Sequence, residues 1–335
     1  MRTIPLGQSP LGQSGLSVSR LGFGCMGLAE FYGDALSNAE AERVLDAALE
    51  RGVNFFDTAD MYGSGRNEGQ LSGFLARRRK DVVVATKFAI VRTPDGGWGG
   101  LSNDPAYIKL ACDASLKRLK IETIDLYYMH RRDPNVPIEE SVGAMSDLVK
   151  TGKVRAIGLS EVNAATLKKA NAVHPIAALQ SEYSIVTREM EKEMIPACRD
   201  IGAAFVAYSP LGRGLLTGAY RSENDFSKGD YRLMGNPRFA DGALAKNLTL
   251  VDQIAEIAVK KRATPGQIAL AWVMAKGDNI IPIPGTKKIE RLEENVGALK
   301  LSLSADEIAE IERAAPPEAV TGARYPAASA TTLNH

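Results

Sequence analysis

Residues 124–160 read IDLYYMHRRDPNVPIEESVGAMSDLVKTGKVRAIGLS, and the reading of this stretch decides the fold. It opens on an almost unbroken apolar run that ends in His130. From Ile138 to Thr151 apolar residues return at three- and four-residue spacing, the period of an amphipathic helix. A second apolar run, VRAIGLS, begins at Val154. Near-continuous apolar strands are buried on both faces, and parallel strands need a helical crossover. Strand, helix and strand in this order therefore predict a parallel α/β unit.

The unit recurs in both directions. Upstream, strand-like runs begin at Leu21 (LGFGC), Val53 (VNFFD) and Val82 (VVVATK); downstream, at Ile176 (IAALQ), Ala203 (AAFVAYS) and Asn279 (NIIPIP). Helical spacing fills Asn38–Arg51, Asp104–Leu119 and Thr264–Lys276. Cap signals stand at Ser37, Asp104, Thr264 before Pro265, and Ser304. Eight such units predict a closed (β/α)8 TIM barrel with its site at the carboxyl ends of the strands. The first segment, Thr3–Arg20, reads as a Gly-bounded hairpin plugging the amino end. A Gly-rich segment, Arg92–Pro105, and a long polar loop, Gly212–Ala245, follow strands three and seven, where carboxyl-face loops shape a pocket. A helix at Ser304–Ala315 lies beyond the barrel, before an Ala/Thr-rich tail. With no linker dividing it, the chain reads as one domain, residues 1–335, with two extra helices.

Bulk composition narrows the function. The 335 residues are 45% hydrophobic, enough for a large core, and carry 41 basic against 40 acidic side chains. No basic stripe suggests a nucleic-acid partner. No apolar run reaches membrane-spanning length, and the N-terminus lacks a signal-peptide pattern. Cys25, Cys112 and Cys198 are widely spaced, form no metal-ligand cluster and point to a reducing cytoplasm.

The chemistry gathers at strand ends. Asp57 ends VNFFD, Tyr62 follows in DTADMYG, Lys87 ends VVVATK and His130 ends IDLYYMH. An acid, a phenol, an amine and an imidazole in one pocket suit general acid–base catalysis. Val53, Phe55 and Asp57 share a strand face, so Asp57 would sit in the low-dielectric barrel centre and need a partner, for which Lys87 is placed. A cation near Tyr62 would lower its pKa. The same spacing also suits a structural salt bridge with Tyr62 as a rim aromatic and His130 as a hydrogen-bonded core residue. The other histidines, His174 beside Pro175 and His335 at the end, look idle. No metal spacing, GxSxG elbow or GxxxxGK[ST] is present.

Taken together, FFDTADMYGSGRNEGQLSGFL, VVVATK, IDLYYMHRRDPNVPIEESVGAM, GKVRAIGLSE, ALQSEYSIVTRE, VAYSPLGRGLLTG and PIPGTKKIERLEENVGAL resemble, in order, the aldo-keto reductases. The GLSE, SPLGRG and GTKK variants resemble the microbial and plant branch labelled auxin-induced or AKR13-like. The resemblance implies a catalytic tetrad of Asp57, Tyr62, Lys87 and His130, with Tyr62 as general acid in NADPH-dependent reduction of aldehydes or ketones, hydride coming from nicotinamide C4. It implies NADPH bound in extended form: Ser160 and Gln180 at the carboxamide, Tyr208 stacked on the nicotinamide, and Ser209, Leu211 and Arg213 at the pyrophosphate. Thr286, Lys287, Lys288 and Arg291 would surround the 2′-phosphate, Glu294 and Asn295 would meet the adenine, and Gly24 and Met26 would also line the cofactor site. Independently of the resemblance, a helix start carrying Lys287, Lys288 and Arg291 is a good anion site, and the same charges also suit a solvated basic face. Tyr32, Met61, Phe88, Trp98 and Arg131 are candidates for the substrate pocket, with Met26 beside them and Tyr231 or Tyr325 reaching in from loops. Glu161 departs from the asparagine that many reductases place after Ser160. The alternative is an NADP(H)-sensing binding subunit similar to potassium-channel β subunits, which commonly carry asparagine where His130 stands. The partner expected is a small carbonyl compound, with no metal; oligomeric state is left open.

Overall fold

Eight short parallel strands curl into a ring in the computed structural model, which describes residues 3–5, 8–9, 12–227, 229–240, 242–327 and 331–333. In chain order they are β1 (Phe23–Gly24), β2 (Phe55–Asp57), β3 (Val83–Phe88), β4 (Ile124–Met129), β5 (Val154–Ser160), β6 (Ala178–Glu182), β7 (Ala204–Tyr208) and β8 (Ile280–Pro282). Each pairs with its sequence neighbours. Closure runs through the Gly22 N–H, which donates to the Pro282 carbonyl at 2.9 Å. That approach requires glycine, since a Cβ on Gly24 would stand 2.8 Å from the Ile283 carbonyl oxygen.

The two-residue strand period sorts the apolar residues into two cores. Phe55, Val83, Ala85, Leu126, Tyr128, Ala156, Ala178, Val206 and Ile281 fill the barrel. Their alternates Phe56, Val84, Phe88, Tyr127, Met129, Ile157 and Phe205 pack against the helices. Gly158 makes room inside for Tyr128, whose ring would lie 2.5 Å from a Cβ there. Leu16 and Val18 join the inner core from the N-terminal segment, where Thr3–Pro5 pairs antiparallel with Ser17–Ser19. The amino end is thus plugged as expected; residues 6–7 and 10–11 of that hairpin lie outside the described residues.

The capping expectations hold atom by atom. Ser37 with Glu40, Thr264 with Gln267 and Ser304 with Glu307 form capping boxes, and Asp104 accepts from the N–H groups of Ala106 and Tyr107. The crossover helices include Asn38–Glu50, Pro105–Leu119, Ile138–Lys150 and Pro265–Ala275, and the two extra helices are Ala243–Lys260 and Ala305–Ala314. One difference lies in the Gly-rich segment after β3. Ile90–Arg92 and Trp98–Leu101 pair there as an antiparallel hairpin. Its turn closes through Thr93 N–H to the Gly97 carbonyl, with Gly96 in the left-handed region that a glycine adopts freely. Among the described residues no helix is long and apolar enough to cross a membrane.

Candidate active site

Barrel parity delivers three charged or polar side chains to one point. Asp57 follows Phe55 on the inner face of β2, Lys87 follows Ala85 on β3, and His130 follows Tyr128 just beyond β4. Lys87 is fully buried. Its Nζ donates to Asp57 Oδ1 at 2.5 Å and to the Thr58 carbonyl at 2.8 Å. Gln180 Nε2 donates to the other carboxylate oxygen, Oδ2, at 2.8 Å. A buried ion pair is tolerable only when its remaining valences are met in this way. The turn after β2 brings Tyr62 over the pair: Lys87 Nζ lies 5.3 Å from its ring centroid. The His130 ring meets Tyr62 edge-on at 5.8 Å. The structure therefore brings all four residues together.

Burial dominates the electrostatics. It pushes the Asp57 carboxyl up and the Lys87 ammonium down, and each partly restores the other. Burial, then the Asp57 charge, raise the Tyr62 phenol well above its ordinary value, while Arg131 pulls the other way. The lowering expected from Lys87 does not prevail: burial and the Asp57 charge dominate, and the cation that opposes them is Arg131. Tyr62 is consequently a protonated donor at ordinary pH. His130 is held well below its ordinary value by burial, Arg131 and Lys87, so it is neutral at pH 7. Its Nδ1 is buried with no hydrogen-bond partner, a polar atom left for a small molecule to meet.

The neutral His130 gives a testable pH effect. Its folded pKa lies below its unfolded value, so its contribution to stability is present above the unfolded pKa and is lost as pH falls toward the folded one. Between about pH 7.5 and about pH 5.5 the unfolded chain should gain about 1.4 kcal/mol from this proton. His130→Gln should shrink the difference between urea midpoints at the two pH values. An unchanged difference would place the imidazole in contact with water.

A second layer of polar groups surrounds the first. Arg131 donates to the His130 carbonyl at 2.7 Å and to Ser160 Oγ at 3.3 Å. At the barrel mouth Tyr208, ending β7, shares a 2.7 Å hydrogen bond with the Tyr325 hydroxyl. Arg213 donates to Tyr32 Oη at 3.2 Å, to Tyr325 Oη at 3.1 Å and to Glu182 at 3.2 Å. Ser209 and Arg213 hold left-handed backbone, φ 48° and 58°, conformations that side chains adopt at some expense and that cluster at functional sites. Leu211 lies between them in the chain; Gly24 ends β1, and Met26 opens the short helix just beyond it. Farther out, Thr286, Lys287 and Lys288 precede the helix Ile289–Gly297, which carries Arg291, Glu294 and Asn295. Arg291 is half-exposed and paired with Glu294 at 2.7 Å. Lys287 donates to the carbonyls of Tyr32 at 2.7 Å and Asp34 at 2.5 Å, tying that loop to the mouth.

Three pocket expectations fail to converge. Phe88 is fully buried against Tyr127 in the outer core, because the strand period that points Lys87 inward points Phe88 outward. Trp98 is 58% exposed on its hairpin. Met61 lines a separate cavity of about 480 Å³ with Ile90, Arg92 and Tyr107, outside the barrel. Sequence reasoning missed Glu182, which lies with Gln180 on the inner face of β6 and is as buried as Asp57. A charged residue ending an apolar strand was the signal for both. His335 lies outside the described residues. Among the described residues no cluster of His, Cys, Asp or Glu could hold a metal ion, and all three cysteines are buried thiols.

Comparison with known proteins bears on the family and the fold. The profile described as the aldo/keto reductase family matches residues 20–316. An aldo-keto reductase of Schizosaccharomyces pombe, named for NADP(+), is 47% identical over 315 residues, covering 92% of each chain. A probable aldo-keto reductase of Glycine max is 45% identical, covering 92% of this chain and 88% of its own. Among solved structures, a glycerol dehydrogenase from Gluconobacter oxydans superposes with a TM-score of 0.82 at 28% identity, covering 93% of this chain and 96% of its own. An aldo-keto reductase from Bacillus halodurans in its holo form gives 0.76 at 30% identity, covering 95% and 97%.

Proposed function

The chain belongs to the aldo/keto reductase family, whose members are oxidoreductases, and from that premise we propose that its barrel mouth reduces aldehydes or ketones to alcohols with NADPH. The observation that carries the mechanism is the Tyr62 ring set edge-on to His130, whose Nδ1 has no partner among the described residues, and over the Lys87–Asp57 pair. When bound, the nicotinamide supplies hydride to the carbonyl carbon. Tyr62 gives its proton to the carbonyl oxygen as that oxygen becomes an alkoxide, and the neutral His130 orients the same oxygen. Two preorganised hydrogen-bonding groups in a buried site stabilise developing negative charge far better than water does. Lys87, fixed by Asp57 and Thr58, keeps a cation near the phenolate that remains, and Gln180 keeps Asp57 in place.

The cofactor residues fit an extended dinucleotide. The helix Ile289–Gly297 starts without a side-chain cap, so its first N–H groups are open to an anion between Lys288 and Arg291. Tyr208 offers a partly exposed ring at the mouth for nicotinamide, with Ser160 and Gln180 below it for the carboxamide. Ser209, Leu211 and Arg213 would follow the pyrophosphate, and Glu294 and Asn295 the adenine. We read residues 1–335 as a single barrel domain of the microbial and plant branch, working in the cytoplasm on a small carbonyl compound. Consumption of NADPH across a panel of aldehydes, ketones and pyridoxal tests the reading and identifies the substrate class. No consumption with any member would count against it.

Cofactor choice gives a separate test. NADPH carries a 2′-phosphate that NADH lacks, and a charge-assisted hydrogen bond is worth roughly 1.5–3 kcal/mol. Arg291 is half-exposed and must leave Glu294, so the lower end applies. Arg291→Ala should weaken NADPH by about tenfold and leave NADH nearly unchanged. Fluorescence titration of both cofactors reads the asymmetry; equal losses would place the phosphate elsewhere.

A further inference from the structure

We propose that Glu161 is a positioning residue: through Arg324 it latches the C-terminal segment across the barrel mouth, and so makes Tyr325 a specificity-determining wall of the substrate pocket. This rests on the reductase reading of the mouth. Glu161 comes directly after β5 with left-handed backbone, φ 53°, and is fully buried. Its carboxylate accepts the Glu182 N–H at 3.0 Å and pairs with the Arg324 guanidinium at 2.6 Å. The Arg324 side chain is itself only 9% exposed, and its other carboxylate neighbour, Glu182, lies farther away at 3.9 Å. Glu182 is already shared with Arg213 and Arg238. Glu161 is thus the close counter-charge of a cation brought from 163 residues farther along the chain.

The rest of the segment is seated to match. The Thr321 N–H donates to Asn247 Oδ1, and Asn247 Nδ2 donates back to the Thr321 carbonyl, both at 2.8 Å. Gly322 has φ +91° and packs so close that a Cβ would lie 2.5 Å from the Pro237 carbonyl oxygen. Arg324 is the last anchor before Tyr325. The Tyr325 hydroxyl then meets the Tyr208 hydroxyl and the Arg213 guanidinium, which also lies 5.4 Å over its ring. The Tyr325 ring is thereby fixed between Arg213 and Arg324, with its hydroxyl on Tyr208 at the end of β7. An aromatic wall beside Tyr208 would border a carbonyl brought to the nicotinamide proposed to lie there. The departure of Glu161 from asparagine therefore has a stated job: it exchanges a polar side chain for a buried anion that holds Arg324.

Trypsin reads the latch directly, since cleavage after Arg324 requires the segment to leave its seat and removes residues 325–335. Glu161→Gln leaves Arg324 without its close carboxylate. It should speed that cleavage by about ten- to a hundredfold, because proteolysis of a closed segment follows the population of the open one. The same variant should raise KM for carbonyl substrates by about tenfold with kcat changed by less than about threefold. Arg324→Gln breaks the pair from the segment's side and strands the buried Glu161 carboxylate; it should give at least the same KM rise, and the double variant should be no worse than either single one, as coupled partners require. Tyr325→Ala removes the wall but keeps the Glu161–Arg324 pair, so its cleavage should stay well below that of Glu161→Gln while preference across the carbonyl panel is reordered. A merely structural tether would change cleavage and leave that order untouched. Equal cleavage of wild type and Glu161→Gln overturns the latch. An unchanged substrate order in Tyr325→Ala overturns the role of Tyr325. Absence of turnover in the wild type defeats the reductase reading, while the cleavage comparison still decides the latch.

Discussion

Replacing Tyr62 with phenylalanine should lower turnover by about two to four orders of magnitude, the usual worth of a positioned general acid. Only a hydroxyl is removed. The ring stays in its edge-on contact with His130, so the fold and the mouth should persist. The size of the loss follows from the lack of a substitute. Lys87 is committed to Asp57 and the Thr58 carbonyl. His130 is neutral and holds its ring proton tightly, so it can orient an oxygen but replaces a phenol poorly as a donor. Burial raises the Tyr62 pKa, which makes it a weaker acid than tyrosine in water but keeps the proton in place until an alkoxide, a stronger base, forms beside it. Steady-state kinetics, with NADPH titration to show that binding is retained, check this. Near-normal turnover would remove Tyr62 from the mechanism.

Lys87→Met should be the most damaging single change to both stability and activity. The ammonium is fully buried, and its loss strands the Asp57 carboxylate with Gln180 as its remaining side-chain partner. Breaking one side of a buried pair costs about 3–5 kcal/mol, whereas removing both charges is often nearly neutral. Urea denaturation should therefore show a large drop for Lys87→Met and recovery of most of it in Lys87→Met/Asp57→Asn. Activity should not recover, because the double variant still lacks a cation to favour the Tyr62 phenolate. Carbonyl reduction should collapse in both, and residual alcohol oxidation should need higher pH. If stability and activity return together in the double variant, the pair is a structural salt bridge and nothing more.

What the sequence made legible was whatever local periodicity encodes. The apolar runs at Val82 and Ile124 became β3 and β4, and Ser37, Thr264 and Ser304 capped the helices they announced. Asp57, Lys87 and His130 converge because a strand period and a barrel leave their side chains nowhere else to point. The same period, applied one residue further, would have turned Phe88 away from the pocket. Contacts between distant segments were less legible. The residues after β3 contain turn-forming glycines, but nothing nearby shows that Arg92 reaches Glu30 at 2.7 Å to hold the hairpin, leaving Trp98 in solvent. Glu161 stood out only as a departure, and its meaning depends on Arg324, whose place is set by burial and charge pairing rather than by spacing. The sign of the Tyr62 shift was missed for a related reason: a neighbouring cation is visible in sequence, but the desolvation that outweighs it appears only once the barrel has closed.

The central claim is that this mouth performs carbonyl reduction, with the proton delivered by Tyr62. It is tested most directly by single-turnover reaction of the wild-type protein with NADPH carrying deuterium at both hydrogens of nicotinamide C4 and a carbonyl substrate chosen from the panel. The account predicts one deuterium at the carbinol carbon of the product for each NADPH consumed, and almost no product from Tyr62→Phe under the same conditions. Tight binding of NADPH with no deuterated alcohol from any carbonyl would contradict it and would make the chain a nucleotide-sensing protein built on a reductase barrel.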